Sequence, residues 1–92
     1  MLREKVVMIT GASRGLGRAL TLHCAREGAK LAINSRSEDS LKPVAKEAQE
    51  AGAEVLAIPA DVSVGTEVQR LVEEAVRRFG RIDVLVNNAM RS

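Results

Sequence analysis

The chain has 92 residues, of which 46 % are hydrophobic and 28 % charged; 14 basic side chains against 12 acidic ones leave a net charge of +2. A chain of this size forms one small domain with a thin core, burying roughly 60 to 65 % of the surface exposed when unfolded. The basic residues are spread along the chain and Phe79 is the only aromatic ring, which excludes a charged patch with stacking bases and so a nucleic-acid partner. No apolar run approaches the ~20 residues a spanning helix needs, so no membrane partner is expected. Cys24 stands alone and no apolar leader precedes the first strand, so a cytoplasmic location is expected.

Residues 5–10 read as a first strand, nearly continuous in apolar side chains as befits a strand covered on both faces. Residues 15–27 follow as a helix, with Leu16, Ala19, Leu20 and Cys24 at helical spacing and Gly28 to end it. A short second strand covers residues 31–33. The next helix has two candidate caps: Ser37, which leaves Pro43 inside the helix, and Ser40, which puts Pro43 in the tolerated first turn. Its apolar stripe is Leu41, Val44, Ala45 and Ala48, and Gly52 closes it. Residues 54–60 form a third strand whose Pro59 suits an outer position.

In the third helix, Val68, Leu71, Val72, Ala75, Val76 and Phe79 repeat at helical spacing, Arg77 and Arg78 occupy the last turn and Gly80 follows. Glu73, Glu74, Arg77 and Arg78 read as a solvated face with i, i+4 pairs. Residues 82–87 make a fourth strand. The alternation predicts an α/β fold with a doubly wound parallel sheet, four strands in the order 3-2-1-4 and three helices, two on one face and one on the other.

Between the first strand and its helix stands Thr10-Gly11-Ala12-Ser13-Arg14-Gly15-Leu16-Gly17. Free N–H groups at a helix start, its positive dipole end and the missing side chains of three glycines make a phosphate cradle, for which a dinucleotide pyrophosphate is the expected guest. The plain alternative is a tight strand-to-helix turn with no ligand. His23 and Cys24 have no partners at metal spacing and read as packing residues, so no metal site is expected.

The glycine spacing G-x-x-x-G-x-G, taken with two later motifs, resembles the short-chain dehydrogenase/reductase family. Thr10 to Gly17 is similar to that family's T-G-x-x-x-G-x-G cofactor motif, Asp61-Val62 after the third strand resembles its adenine-contacting dipeptide, and Asn87-Asn88-Ala89 resembles its N-N-A-G. Within the family the look is of ketoacyl and related carbonyl reductases. The resemblance implies a Rossmann-type fold and cofactor contacts from Gly11, Ser13, Arg14, Gly15, Leu16, Gly17, Ser35, Arg36, Asp61, Val62, Asn88 and Ala89. Asn87 and Asn88 are also expected to tie neighbouring strands together.

Charge bears on the choice of cofactor. NAD enzymes place an acid about 20 residues after the glycines to accept from the ribose 2′-hydroxyl. Here Asn34-Ser35-Arg36 stands after the second strand and Arg14 lies in the loop, so NADP(H) is expected over NAD(H).

The family resemblance also implies a later catalytic serine and a Tyr-x-x-x-Lys pair. This sequence has no tyrosine, its lysines Lys5, Lys30, Lys42 and Lys46 match neither role, and Met90-Arg91-Ser92 replaces the motif's glycine. Residues 1–92 are therefore expected to be a single NADP(H)-binding half-domain, incomplete relative to the family, with no catalytic residue and no turnover of its own. A stand-alone nucleotide-binding module and an inert remnant are the other readings. Val84-Leu85-Val86, apolar on both faces, would then be an edge, so association with a second copy or a missing catalytic half is expected.

Overall fold

A computed structural model describes residues 2–88. Seven elements follow in order: β1 (Val6–Thr10), α1 (Gly15–Arg26), β2 (Lys30–Ser35), α2 (Glu38–Glu50), β3 (Val55–Pro59), α3 (Gly65–Phe79) and β4 (Val84–Asn87). The strands form one parallel sheet in the order β3-β2-β1-β4, as the alternation predicts. Among the described residues no helix is long and apolar enough to cross a membrane.

Every residue of β1 is buried, because both its faces are covered. Val7 and Ile9 pack with Leu31, Ile33 and Val55 beneath Cys24 and Ala25 of α1 and Leu41, Val44 and Ala48 of α2. Met8 and Ala32 point the other way, onto Leu71 and Ala75 of α3. The period-two alternation of β1, β2 and β3 thus feeds two separate apolar clusters, one per sheet face, while β4 adds only Val86 to the first.

The helices depart from the sequence pattern in instructive ways. The buried face of α1 is Gly17, Thr21, Cys24 and Ala25, whereas Leu16 and Ala19 are exposed. Small residues face inward because the first turn packs directly on the preceding loop, and Thr21 is admitted because its hydroxyl donates to the Gly17 carbonyl at 2.8 Å. Cys24 is buried and His23 exposed; burial pushes the Cys24 thiol pKa up, with Glu27 adding to the shift.

Ser37 caps α2, its side chain accepting from the Ser40 N–H, so Pro43 lies inside the helix. The missing Pro43 donor leaves the Asp39 carbonyl in the exposed first turn, where water can serve it. On α3 the observed pairs run through Arg70, which bridges Glu67 and Glu74, rather than through Arg77 and Arg78. Arg70 also donates to the Pro59 carbonyl at 3.1 Å, tying α3 to the end of β3, while Arg78 lies 5.2 Å over the Phe79 ring.

Two boundaries differ by two residues from those read in the sequence, and the others by one at most. β2 extends to Ser35 because β3 pairs with it up to Ser35 opposite Pro59, an outer strand where proline's missing N–H costs no ladder bond. β4 begins at Val84, and Ile82 packs instead against the α3-side cluster.

β4 lies at the sheet edge with Val84 and Leu85 exposed, so side-chain bonds reinforce its backbone ladder. At its base the Asp83 carboxylate accepts from the Val6 N–H at 2.8 Å and from Arg81 Nε at 3.0 Å. The Val6 hydrogen bond is the main cause holding the Asp83 pKa below its ordinary 3.8; partial desolvation opposes it, and Arg81 adds to the lowering. With the folded-state value depressed, the unfolded chain takes up the proton first, so this stabilisation is complete above the unfolded value and is lost as pH falls through the folded one. Asp83→Asn is expected to lower Tm at neutral pH, with the gap to the unsubstituted chain closing below about pH 4. Thermal melts across pH check this, and a gap independent of pH contradicts it.

Candidate cofactor-binding site

The candidate site lies at the carboxyl ends of the strands. β1 ends at Thr10, and the chain then turns through Gly11 (φ 63°) and Gly15 (φ 57°), left-handed conformations in which a side chain is strained. α1 starts with Arg14 as its N-cap, in extended conformation, with no side-chain cap and no acid in the first turn. By contrast α2 has its serine cap with Glu38 and Asp39 in the first turn. The α1 terminus therefore presents N–H groups that no side chain caps, beside a cation, which suits an anion.

The loop is locked from two sides. A Cβ on Gly17 would lie 2.0 Å from the Gly11 carbonyl oxygen and 2.8 Å from Asn88 Nδ2, distances that no side chain can occupy. That same Gly11 oxygen accepts from Asn88 Nδ2 at 3.1 Å, and the Asn88 N–H donates to Thr10 Oγ1 at 3.0 Å. Thr10 in turn donates to Asn87 Oδ1 at 3.2 Å, opposite it in the β1–β4 register. The two asparagines therefore tie β1 to β4, as expected.

On the other side the Ala12 N–H donates to the Asn34 carbonyl at 2.8 Å. Asn34, 2 % exposed, donates its side-chain amide to the carbonyls of Ile58 (2.9 Å) and Ala60 (3.1 Å), joining the ends of β2 and β3. This role was missed in the sequence; its only signal is an amide closing an apolar strand.

The remaining expected residues lie around this loop and at the ends of β2 and β3, with Ala89 the exception. Ser13 is half-buried in the loop, while Arg14 and Leu16 are exposed beside it, Leu16 at 64 %. Arg36 Nη2 lies 3.6 Å from Asp61 Oδ2. Asp61 also accepts through Oδ1 from the Ser63 N–H and hydroxyl, forming the turn that leads into α3. Ser35 is buried and its hydroxyl donates to the Ser37 carbonyl at 2.9 Å, and Val62 packs into the α3-side cluster. Ala89 lies outside the described residues.

A parallel sheet carrying a glycine loop at the switch between β1 and β4 defines a Rossmann-type nucleotide-binding unit. Residues 5–91 match the short chain dehydrogenase family, and the chain belongs to that family of oxidoreductases, which use NAD(P) dinucleotides. The chain is 45 % identical over 87 residues to a 3-oxoacyl-(acyl-carrier-protein) reductase of Staphylococcus epidermidis, covering 94 % of this chain and 36 % of that relative. A mutant of a Serratia marcescens short-chain dehydrogenase/reductase superposes with TM-score 0.95 at 41 % identity, over 99 % of this chain and 38 % of the other. An NADH-dependent reductase complexed with NAD superposes with TM-score 0.85 at 37 % identity, over 94 % and 36 %. The chain thus spans little more than a third of each of these three proteins.

The Gly17 contact has a direct test. Alanine is the better helix former by about 1 kcal/mol, but the backbone clash outweighs that gain. Gly17→Ala is expected to destabilise the fold by roughly 1–3 kcal/mol in denaturant titration, whereas Gly65→Ala, with open space around it, leaves stability unchanged or raised. Equal effects of the two would contradict this packing.

Proposed function

We propose that the chain is the NADP(H)-binding N-terminal part of a short-chain reductase whose complete form moves hydride between the cofactor and a carbonyl or secondary alcohol. The observation that carries this reading is the uncapped, acid-free start of α1, held against its loop by Gly17 and Asn88. In this reading the pyrophosphate rests on Gly11, Ser13, Gly15, Leu16 and Gly17, Asp61 and Val62 flank the adenine, and Asn88 stands nearest the cofactor at the end of β4. The exposed Leu16 side chain then gains an apolar partner. The cofactor supplies the hydride; the residues of this chain bind and orient it. The absence of tyrosine from the sequence supports a binding unit without turnover of its own.

The preference for NADP(H) rests on charge, Arg14 and Arg36 being the cations for a 2′-phosphate. Ser35, its proton engaged with Ser37, adds a donor there only by rotating away. Arg36→Asp is expected to weaken NADPH binding about tenfold or more while changing NADH binding far less. Calorimetric titration of both dinucleotides checks this. Equal losses contradict the assignment, and a chain that binds neither supports the inert-fragment reading.

The location proposed for such a binding unit is the cytoplasm. The exposed β4 edge further supports association with a second copy or with a segment supplying the catalytic half. Light scattering on the purified chain is expected to show a mass above that of a monomer; a well-folded monomer at micromolar concentration contradicts self-association.

A further inference from the structure

We propose that Asp61 moderates how strongly this site distinguishes a 2′-phosphate from a 2′-hydroxyl, acting through Arg36; the inference rests on the cofactor reading above. β2 and β3 run in register with Ser35 opposite Pro59, so the residues just beyond them, Arg36 and Asp61, emerge side by side at the same sheet edge. The Asn34 amide, bonded to both Ile58 and Ala60, sets the spacing of the two strand ends.

The two carboxylate oxygens of Asp61 have separate tasks. Oδ1 accepts from the Ser63 N–H at 3.0 Å and from the Ser63 hydroxyl at 2.7 Å, which orients the group within its turn. Oδ2 is thereby left 3.6 Å from Arg36 Nη2, with the Arg36 side chain 79 % exposed and that of Asp61 40 % exposed. A 2′-phosphate that docks on Arg36 therefore competes with a carboxylate already beside the guanidinium. Positioning by so exposed a pair contributes little, while the competition for the cation persists whenever the ligand carries phosphate. The net effect of Asp61 is to reduce the advantage of the phosphorylated ligand. Because a 2′-hydroxyl does not need the guanidinium, its binding is nearly indifferent to the pair.

Asp61→Asn keeps an Oδ1 acceptor for Ser63 and removes the charge, so it separates turn structure from electrostatics. The probes are 2′,5′-ADP and 5′-AMP, which differ only in the 2′-phosphate, titrated onto the chain, Asp61→Asn, Arg36→Gln and the double variant, with circular dichroism melts to verify folding. Asp61→Asn is expected to raise the preference for 2′,5′-ADP over 5′-AMP by about 3- to 5-fold, the scale of an exposed charge pair, and to raise it by less than about 2-fold when Arg36 is already glutamine. An unchanged or lowered preference overturns the inference, as does an equal rise in both backgrounds, which would have Asp61 act on the 2′-phosphate directly and not through Arg36. Binding of neither nucleotide by the unsubstituted chain overturns the cofactor reading itself and this inference with it. A variant whose melt shows lost folding is replaced by Asp61→Ser, which keeps a short acceptor for the turn, under the same criteria.

Discussion

The close approach of Gly17 to the Gly11 carbonyl is the constraint from which the rest of the site follows. It lets the first turn of α1 rest on the loop that leaves β1, and it leaves the Gly11 oxygen in reach of the Asn88 amide. The strand, the helix start and the far strand β4 are thereby joined at one point. Small residues line the inward face of α1 for the same reason, and the larger Leu16 turns outward.

β4 shows how hydrogen bonds support a poorly covered strand. Val84 and Leu85 are exposed, so apolar burial contributes less here than in β1. The strand is held at its base by Asp83 on Val6 and at its top by Asn87 and Asn88 on Thr10 and Gly11. The upper bonds lie beside the proposed phosphate site, so the same contacts that secure the edge strand shape the loop. Charge is distributed to match, with cations at Arg14 and Arg36 and the carboxylate of Asp61 beside the latter.

Where local pattern decides structure, the sequence is readable. The continuous apolar run of β1 announces burial on both faces, and Pro59 announces an outer strand; both hold. The start of α2 was ambiguous because Ser37 and Ser40 both suit a cap, and it is the serine farther from Pro43 that serves. The inward face of α1 was read only in part: Cys24 is buried and Leu20 packs against the same cluster, but Leu16 and Ala19 face out and Gly17 and Thr21 take their place, because hydrophobicity is a poor guide where a helix packs backbone to backbone. The bonds from Asn34 to Ile58 and Ala60, from Arg70 to Pro59 and from Val6 to Asp83 escaped notice for another reason: each joins a side chain to the main chain of another segment, and such bonds leave no periodic trace. The glycine loop and the asparagines were legible as motifs, but the proximity of Arg36 to Asp61 emerges only once β2 and β3 are paired in register.

The central claim is that the loop spanning residues 11–17 receives the phosphates of a dinucleotide. Amide-resolved NMR of the isotopically labelled chain during titration with NADPH tests it most directly. The account predicts saturable shifts concentrated at the amides of residues 11–17 and at Asn88, with smaller ones near Arg36 and Asp61. Shifts confined to other parts of the chain, or none at millimolar cofactor, would contradict it.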